Sequence, residues 1–482
     1  MSIKTDYITE QDSIGRKTFE RSEKFLAGCG AVGGRPVKEI SDEIGMSREY
    51  VYQQKEKVIQ YAETLDNAEE EVLTLRLDKR NIERMILSLT LDCQSPQSGI
   101  QSFFEIIGKP VSTGYISGVI NEAARRAQAF DDQVSLSGIN QGANDEIFQC
   151  GVPILTGIDP ESTYIYLLEE ANDRTAETWA IYLDDRKERG LELEVSINDA
   201  GAGLMAGIPQ AFPNVEIQAD TFHALYDMGK EISKSERKAY KLINAERALE
   251  ENLSGKRPRE KNKAELEEIR PKVAAAVKLY DLLYILYTWL KELLGFSGYS
   301  MEDSMLLAEW VLQEMDELAT DNPGVRKEVS KVRKMLPSLL SFIRRLERGM
   351  EKAAKETGIP VEVFHLMYRQ LAYNSGSLAD IETQCKLALM LKERYNEAAD
   401  AFQKLLKKIK KASSLVENLN GRIRVFIEVK RVIPPTRFFI LLKVYFNTRR
   451  YKRNRCKERR GKSPLELLVG SPQPTYLEAL GY

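Results

Sequence analysis

The sequence predicts a multidomain, mostly helical chain built around a central mixed α/β region, and three observations carry that prediction. The 482 residues are enough for roughly three or four domains. Apolar residues recur at helical spacing over residues 14–130 and again over 224–412. Between 144 and 220 the texture changes to short alternating runs bounded by turn residues, which is the pattern of strands. With 43% hydrophobic and 29% charged residues the composition is that of a soluble globular chain.

In the helical region at the start, VKEISDEIGMSREYVYQQKEKVI (37–59) places an apolar face, Val37, Ile40 and Ile44, before Gly45. Ser47 then offers an N-cap, and a second helix opens with Arg48, Glu49 and Tyr50 read as exposed. This is helix-turn-helix grammar, in which the second helix enters a major groove. A similar pattern, GIQSFFEIIGKPVSTGYISGVINEAARR (99–126), closes one helix at Gly108 and caps the next at Ser112, ahead of Tyr115. One such corner fits an ordinary bundle equally well; two copies favour DNA binding. VLTLRL (72–77) reads as a short strand between them.

The central region reads as three short strands, EIFQC (146–150), PILTGI (153–158) and TYIYLLEE (163–170). A helix over 175–190 follows, then LEVSI (193–197), a short helix over 201–211, and VEIQA (215–219). The order β-β-β-α-β-α-β describes a mixed five-stranded sheet flanked by helices. Beyond it, leucine-rich segments such as YDLLYILYTWLKELL and MLPSLLSFIRRLERGM read as helices, with SGKRPREKNK (254–263) as a solvated turn. The longest apolar stretch, LLYILYTWL (Leu282 to Leu290), reads as buried and as too short to cross a bilayer, so no membrane partner is expected.

Net charge is only −2, but its distribution is uneven. From Pro434 to the end eleven Lys/Arg stand against three Asp/Glu, and nine of the fourteen residues in RRYKRNRCKERRGK (Arg449 to Lys462) are basic. With the FFILLKVYFNTRR helix before it, this run reads as a folded DNA-contacting element, supported by the lysines of 404–411. The five cysteines, at 29, 93, 150, 385 and 456, follow no pairing or C-x-x-C pattern, which fits a reducing cytosol and argues against a structural zinc site. The polar, acidic start MSIKTDYITEQD is not that of a signal peptide.

Asp145 opens the first strand as read, and Asp199 ends the fourth. In this strand order the two are neighbours, so their carboxylates can face each other and share divalent cations. Far downstream, SSLVENLNGRIR (Ser413 to Arg424) carries one acid, Glu417, among arginines and asparagines.

An Asp on strand one, a second Asp after strand four and a Glu on a late helix resemble the pattern of DDE transposases and retroviral integrases, which share the ribonuclease H-like fold. DEIFQCGVPILTGIDPESTYIYLLE is similar to their first three strands, and SLVENLNGRIR to the helix bearing the last acid. NTRRYKRNRCKERRGKSPLELL resembles the C-terminal end of bacterial insertion-sequence transposases. Asp199 and Glu417 are much further apart than in integrases, which points to the Mutator-like and hAT-like group, where an all-helical domain is inserted. That group often carries a C/D-x-x-H motif, here Asp220-Thr-Phe-His223.

The resemblance implies a DNA transposase. Asp145, Asp199 and Glu417 would be its catalytic triad and the ligands of two Mg²⁺, with Mn²⁺ able to substitute. Asp220 and His223 would either support the scissile strand or form a satisfied structural pair. Asp159, in TGIDPES, is the rival for the first acid and reads as a turn residue. Trp289 and Trp310 read as core, with base stacking as the functional alternative. The expected DNA contacts are Arg48, Tyr50, Ser112, Tyr115, Arg422, Arg424, Arg449, Arg450, Lys452, Arg453 and Arg455.

The implied domains are 1–70 and 71–135, two helix-turn-helix domains; 136–226, the first part of the catalytic domain; and 227–410, the helical insertion. They continue with 411–435, the last catalytic part with the Glu417 helix, and 436–482, the basic C-terminal segment. The partners would be double-stranded DNA, as terminal inverted repeats and target, and a second copy in a homodimer or higher oligomer. The location would be the cytoplasm, at the nucleoid. A ribonuclease H-like nuclease or resolvase, and a non-catalytic DNA-binding regulator derived from a transposase, are the alternatives.

Overall fold

The computed structural model describes residues 19–66, 77–199, 201–254, 260–372, 378–411, 414–430 and 436–482. Contacts divide the chain into two compact units, residues 1–120 with Tyr482, and residues 121–481.

The first unit opens with α1 (Arg21–Val32), α2 (Val37–Ile44) and α3 (Arg48–Asp66) around Ala27, Ala31, Ile40, Met46 and Val51. Gly45 ends α2 at φ 76, a left-handed conformation that glycine adopts without steric cost. Ser47 Oγ accepts from Tyr50 N at 3.2 Å and caps α3. After it come α4 (Lys79–Leu91), α5 (Gln97–Ile106) and α6 (Thr113–Asp131), the last of which runs on past residue 120. The second corner repeats the first in its chemistry: Gly108 has φ 70, and Ser112 Oγ accepts from Tyr115 N at 3.1 Å. Of the VLTLRL run, residues 72–76 lie outside the described residues and Leu77 belongs to no strand.

The second unit holds a five-stranded sheet. Its elements are β1 (Gln141–Gln149), β2 (Val152–Ile158), β3 (Ile165–Glu170), α7 (Ala176–Glu188), β4 (Val195–Asn198), α8 (Ala202–Ala211) and β5 (Glu216–Ala219). The order across the sheet is β3-β2-β1-β4-β5. β1, β2 and β3 are antiparallel neighbours, while β4 runs parallel to β1 and β5 parallel to β4.

β1 begins five residues earlier than the sequence pattern suggests, which moves Asp145 from the start of the strand to its middle. The polar run QGAN conceals the strand because its partners lie far along the chain. Asn144 Nδ2 donates to Ser196 Oγ at 2.8 Å, and its Oδ1 accepts from Tyr166 Oη at 2.6 Å. Gly142 and Gly157 make room for the Tyr166 ring, with which a Cβ at either position would collide.

Side chains alternate across a strand, so Asn144 and Asp145 face opposite sides of the sheet. On the Asn144 side, Tyr166 and Leu155 pack with Trp179 and Leu183 of α7 and with Leu204 and Ile208 of α8.

From β5 the chain departs into α9 (Thr221–Leu253), α10 (Glu260–Leu293), α11 (Met301–Leu318), α12 (Pro323–Leu339) and α13 (Ser341–Thr357). It continues with α14 (Val361–Ala372), α15 (Leu378–Leu391) and α16 (Tyr395–Lys408). The start and end of this excursion meet. Thr221 N and Oγ1 donate to Lys411 O at 3.3 and 3.2 Å, and the Arg345 guanidinium spans Gln218 Oε1 at 2.9 Å and Lys410 O at 2.8 Å.

Two expectations within the excursion are corrected. LLYILYTWL is amphipathic: Leu283, Leu286 and Leu290 are buried, while Tyr284, Ile285 and Trp289 are exposed. Trp289 and Trp310 stack on each other at 5.8 Å between centroids and remain nearly half exposed, so neither is a core residue. The whole of α10, unlike that short stretch, is long and apolar enough by length and composition to cross a membrane; here its leucine face packs into the helical core.

The chain returns to the sheet as α17 (Ser414–Lys430), on the Asp145 side, and α18 (Thr436–Thr448), packed on β3. α19 (Pro464–Val469) and α20 (Tyr476–Ala479) follow. α18 is buried from Phe438 to Thr448, so the basic run that follows it is anchored to a packed helix. Its Asn447 bonds to both backbone groups of Ile165, donating to O at 2.9 Å and accepting from N at 2.8 Å. Lys443, fully buried, pairs with Asp131 at 2.7 Å.

Candidate active site

The register of β1 against β4 pairs Asn144 with Asn198. Asp145 follows Asn144 on β1, and Asp199 is the first residue past the end of β4, so the two acids leave the last paired position of strands that lie about 4.8 Å apart. Asp145 is 9% exposed. Its Oδ1 accepts from Glu146 N at 2.8 Å, and its Oδ2 accepts from Asn420 Nδ2 at 2.6 Å. Asp199 Oδ1 accepts from Gly201 N at 3.0 Å at the approach to α8.

Asn420 lies one helical turn after Glu417, so α17 presents both to the same face. Glu417 Oε1 is 3.1 Å from His223 Nε2, and His223 Nδ1 is 3.2 Å from Asp220 Oδ2. Asp220 caps α9, its Oδ1 accepting from Phe222 N at 2.6 Å. The five acid and histidine positions singled out in the sequence therefore converge on one place. Asp220, His223 and Glu417 form a continuous chain of contacts, and Asn420 ties the Glu417 helix to Asp145.

The electrostatics follow from this crowding. Burial, with the charges of Asp199 and Glu417, pushes the Asp145 carboxyl up to about 7, against the lowering effect of Glu146 N–H and His223. The hydrogen bond to Asp220 lifts His223 to about 9, aided by the charges of Asp220, Glu417 and Asp145 and opposed by burial. At neutral pH His223 is thus an imidazolium held between two carboxylates.

The donor set suits a hard divalent cation. Three carboxylates could supply oxygen ligands, and Asn420 Oδ1 is buried without a hydrogen-bond partner beside them. The positions observed do not preform a site: among the described residues, no group of three or more His, Cys, Asp or Glu is arranged to hold a metal ion. His223 engages Glu417, and Asn420 engages Asp145.

Asp159 is the turn acid between β2 and β3. It accepts from Glu161 N at 3.0 Å, Ser162 N at 2.8 Å and Ser162 Oγ. Arg459 donates to the carbonyls of Pro160 and Glu161 in the same turn, at 3.0 and 2.9 Å.

The expected DNA contacts divide. Arg48, Ser112, Arg424, Arg449, Lys452, Arg453 and Arg455 are exposed. Tyr50 turns inward onto Phe19, at 6.0 Å between ring centroids. Tyr115 is half-buried and its hydroxyl donates to Glu83 at 3.4 Å. The Arg422 guanidinium lies 4.2 Å from the Phe446 ring centroid, and Arg450 pairs with Glu466 at 2.7 Å. In the lysine run, Lys407 pairs with Glu458 at 3.1 Å and Lys411 is half-buried against Phe296. Each of these has an aromatic face or a carboxylate in reach; among the exposed group, Arg449 likewise lies 5.4 Å from the Tyr445 ring centroid.

Two features of the site were absent from the sequence expectations. Asn420 is one, and its spacing from Glu417 is the signal that marks it. The other is the buried Asn144–Ser196–Asn198 network beneath the acids, in which Ser196 Oγ donates to Asn198 Oδ1 at 2.9 Å. No local pattern reveals it.

The family model described as "Transposase, Mutator family" matches residues 147–279. The matched segment contains Asp199, Asp220 and His223, begins two residues after Asp145 and ends before Glu417. Among solved structures the chain is similar to the "Drosophila P element transposase strand transfer complex", at 10% identity over 89% of this chain and 97% of that one. The TM-score is 0.25, so that likeness carries no weight for the fold. Comparison with curated proteins gives no match. The segment 147–279, which holds most of the sheet and the start of the helical excursion, is thus similar to the transposases of the Mutator family.

Proposed function

We propose that this chain is a DDE-type DNA transposase with a ribonuclease H-like catalytic core, cleaving DNA at the ends of a mobile element and joining those ends to target DNA. The observation that carries the reading is the arrival of Glu417, 218 residues beyond Asp199 in sequence, at the acid pair of β1 and β4 through His223 and Asn420.

Asp145, Asp199 and Glu417 would hold two Mg²⁺ ions. When bound, such ions lower the pKa of an attacking water and stabilise the leaving 3′ oxygen. The chain's own residues do the rest. Asn420 and the Glu146 N–H fix the Asp145 carboxylate in one orientation. The His223 imidazolium keeps Glu417 beside the acid pair, and Asp220 keeps the ring in place. Ionisation of Asp145 is resisted by burial and by the charges of Asp199 and Glu417, so added positive charge at this point stabilises the deprotonated form. The exposed Arg449, Lys452, Arg453 and Arg455 would bind phosphates, and the two glycine–serine corners of the first unit would read the element ends.

The test is Mg²⁺-dependent nicking of duplex DNA that carries the sequences flanking the coding region. Asp199→Asn and Glu417→Gln should each lose nicking by orders of magnitude while unfolding at the wild-type temperature. Undiminished nicking by Glu417→Gln would remove this reading. Joining of pre-cut ends to a target separates a transposase from a nuclease.

A further inference from the structure

We propose that Phe222 and Tyr226 on α9, closed off by Lys230, form a stacking shelf for an unpaired DNA base beside the acid cluster. The proposal rests on the DNA-processing reading above and names a substrate subsite for it.

The three residues recur every fourth position, so they share one face of the helix. The opposite face, with Ala224, Met228 and Ile232, is buried in the helical core. The shelf face is open: Phe222 is 55% and Tyr226 50% exposed. Their rings lie nearly parallel, 12° apart at 5.9 Å between centroids. Lys230 Nζ stands 4.1 Å from the Tyr226 centroid. At the other end, Phe222 meets His223 edge-on at 5.8 Å, and His223 is the residue that touches Glu417. An aromatic surface with a cation at one end therefore runs directly away from the carboxylates.

The two rings are adjacent and nearly parallel, so they form one continuous exposed aromatic surface rather than scattered single side chains. The occupant is read from the charge and the neighbourhood. A nucleotide offers a π-face to the rings and a phosphate to Lys230. Base pairs in an intact duplex keep their faces stacked inside, so only an unpaired or extruded base can reach the shelf.

The experiment is fluorescence anisotropy on the full chain in EDTA, with labelled short oligothymidylate, an abasic strand of equal length and a duplex of equal length. The wild type should bind oligothymidylate more tightly than the abasic strand. The double substitution Phe222→Ala, Tyr226→Ala should weaken oligothymidylate binding about five- to a hundredfold and leave abasic binding unchanged. Phe222→Tyr should restore most of the loss, and circular dichroism should confirm that all variants are folded. Equal wild-type binding of the base-bearing and abasic strands, or an unaffected double variant, overturns the shelf. A preference for duplex that the double variant abolishes overturns it too, in favour of a groove contact. The measurement needs no metal, so it is independent of nicking. Loss of nicking in Glu417→Gln with no effect of the aromatic substitutions retains the catalytic reading and rejects the shelf; the reverse result rejects catalysis and retains it.

Discussion

Asp145 lies in the middle of the β1–β2 hairpin and Asp159 just past its end, both nearly buried, yet their surroundings differ in kind. Asp159 is saturated by its own turn, with three donors from Glu161 and Ser162. Asp145 takes one donor from its neighbour Glu146 and the other from Asn420, 275 residues away, while Asp199 and Glu417 press negative charge on it. Burial raises the pKa of both. The difference teaches where function resides. A carboxylate satisfied locally holds a turn; one whose partners converge from distant elements, and are themselves acids, is strained in favour of a ligand.

The comparison can be broken most forcefully at the turn. Asp159→Ala leaves buried donors of Ser162 without an acceptor and should cost about 2–4 kcal/mol in urea unfolding. It should not change the Mg²⁺ requirement of the surviving folded protein. If nicking disappears while stability holds, the roles of the two aspartates have been exchanged.

A smaller effect is expected at Asn420. Its replacement by Ala frees Asp145 Oδ2 and should raise the Mg²⁺ concentration needed for half-maximal nicking by about ten- to a hundredfold, the usual consequence of losing a residue that orients a ligand. Asn420→Asp, which adds a fourth acid, should do at least as much harm. Unfolding temperature is the control.

The smallest effect sharpens the electrostatic half of the contrast. The folded-state pKa of Asp145 is raised to about 7. Between the ordinary carboxylate range and that value the folded chain keeps a proton that the unfolded chain has released. This group's contribution to stability therefore falls as pH rises through the window and levels off above it. In metal-free buffer Asp145→Asn should gain stability relative to the wild type as pH rises from 4 to 8. The gain should vanish toward pH 4. A gain that is constant with pH would mean that the carboxyl is not under this pressure.

Much of the sheet was legible because β-branched and aromatic runs alternate between turn residues, as in PILTGI and TYIYLLEE. The acids were legible through their place on neighbouring strands. The true start of β1 was not, since Asn144 is paired across the sheet with Ser196, 52 residues on, and such pairing leaves no local trace. α18 was legible as a helix from FFILLKVYFNTRR, but not its seat: its apolar run covers β3, more than 260 residues earlier in the chain. Tyr50 and Arg422 are packed against aromatic rings for a common reason: a side chain with both an apolar body and a polar tip is placed by whichever neighbour packing supplies. Asn420 needed only the rule that residues three apart on a helix share a face.

The bond from Thr221 to Lys411 spans 190 residues of sequence and almost no distance in space. Closing so long a loop costs little more than closing one half its length, because the entropy grows only logarithmically. The excursion is therefore a cassette plugged into a fixed socket. Its helices can be lengthened, trimmed or exchanged over evolutionary time, and the last acid will return to the same seat as long as the two rims of the socket stay clasped.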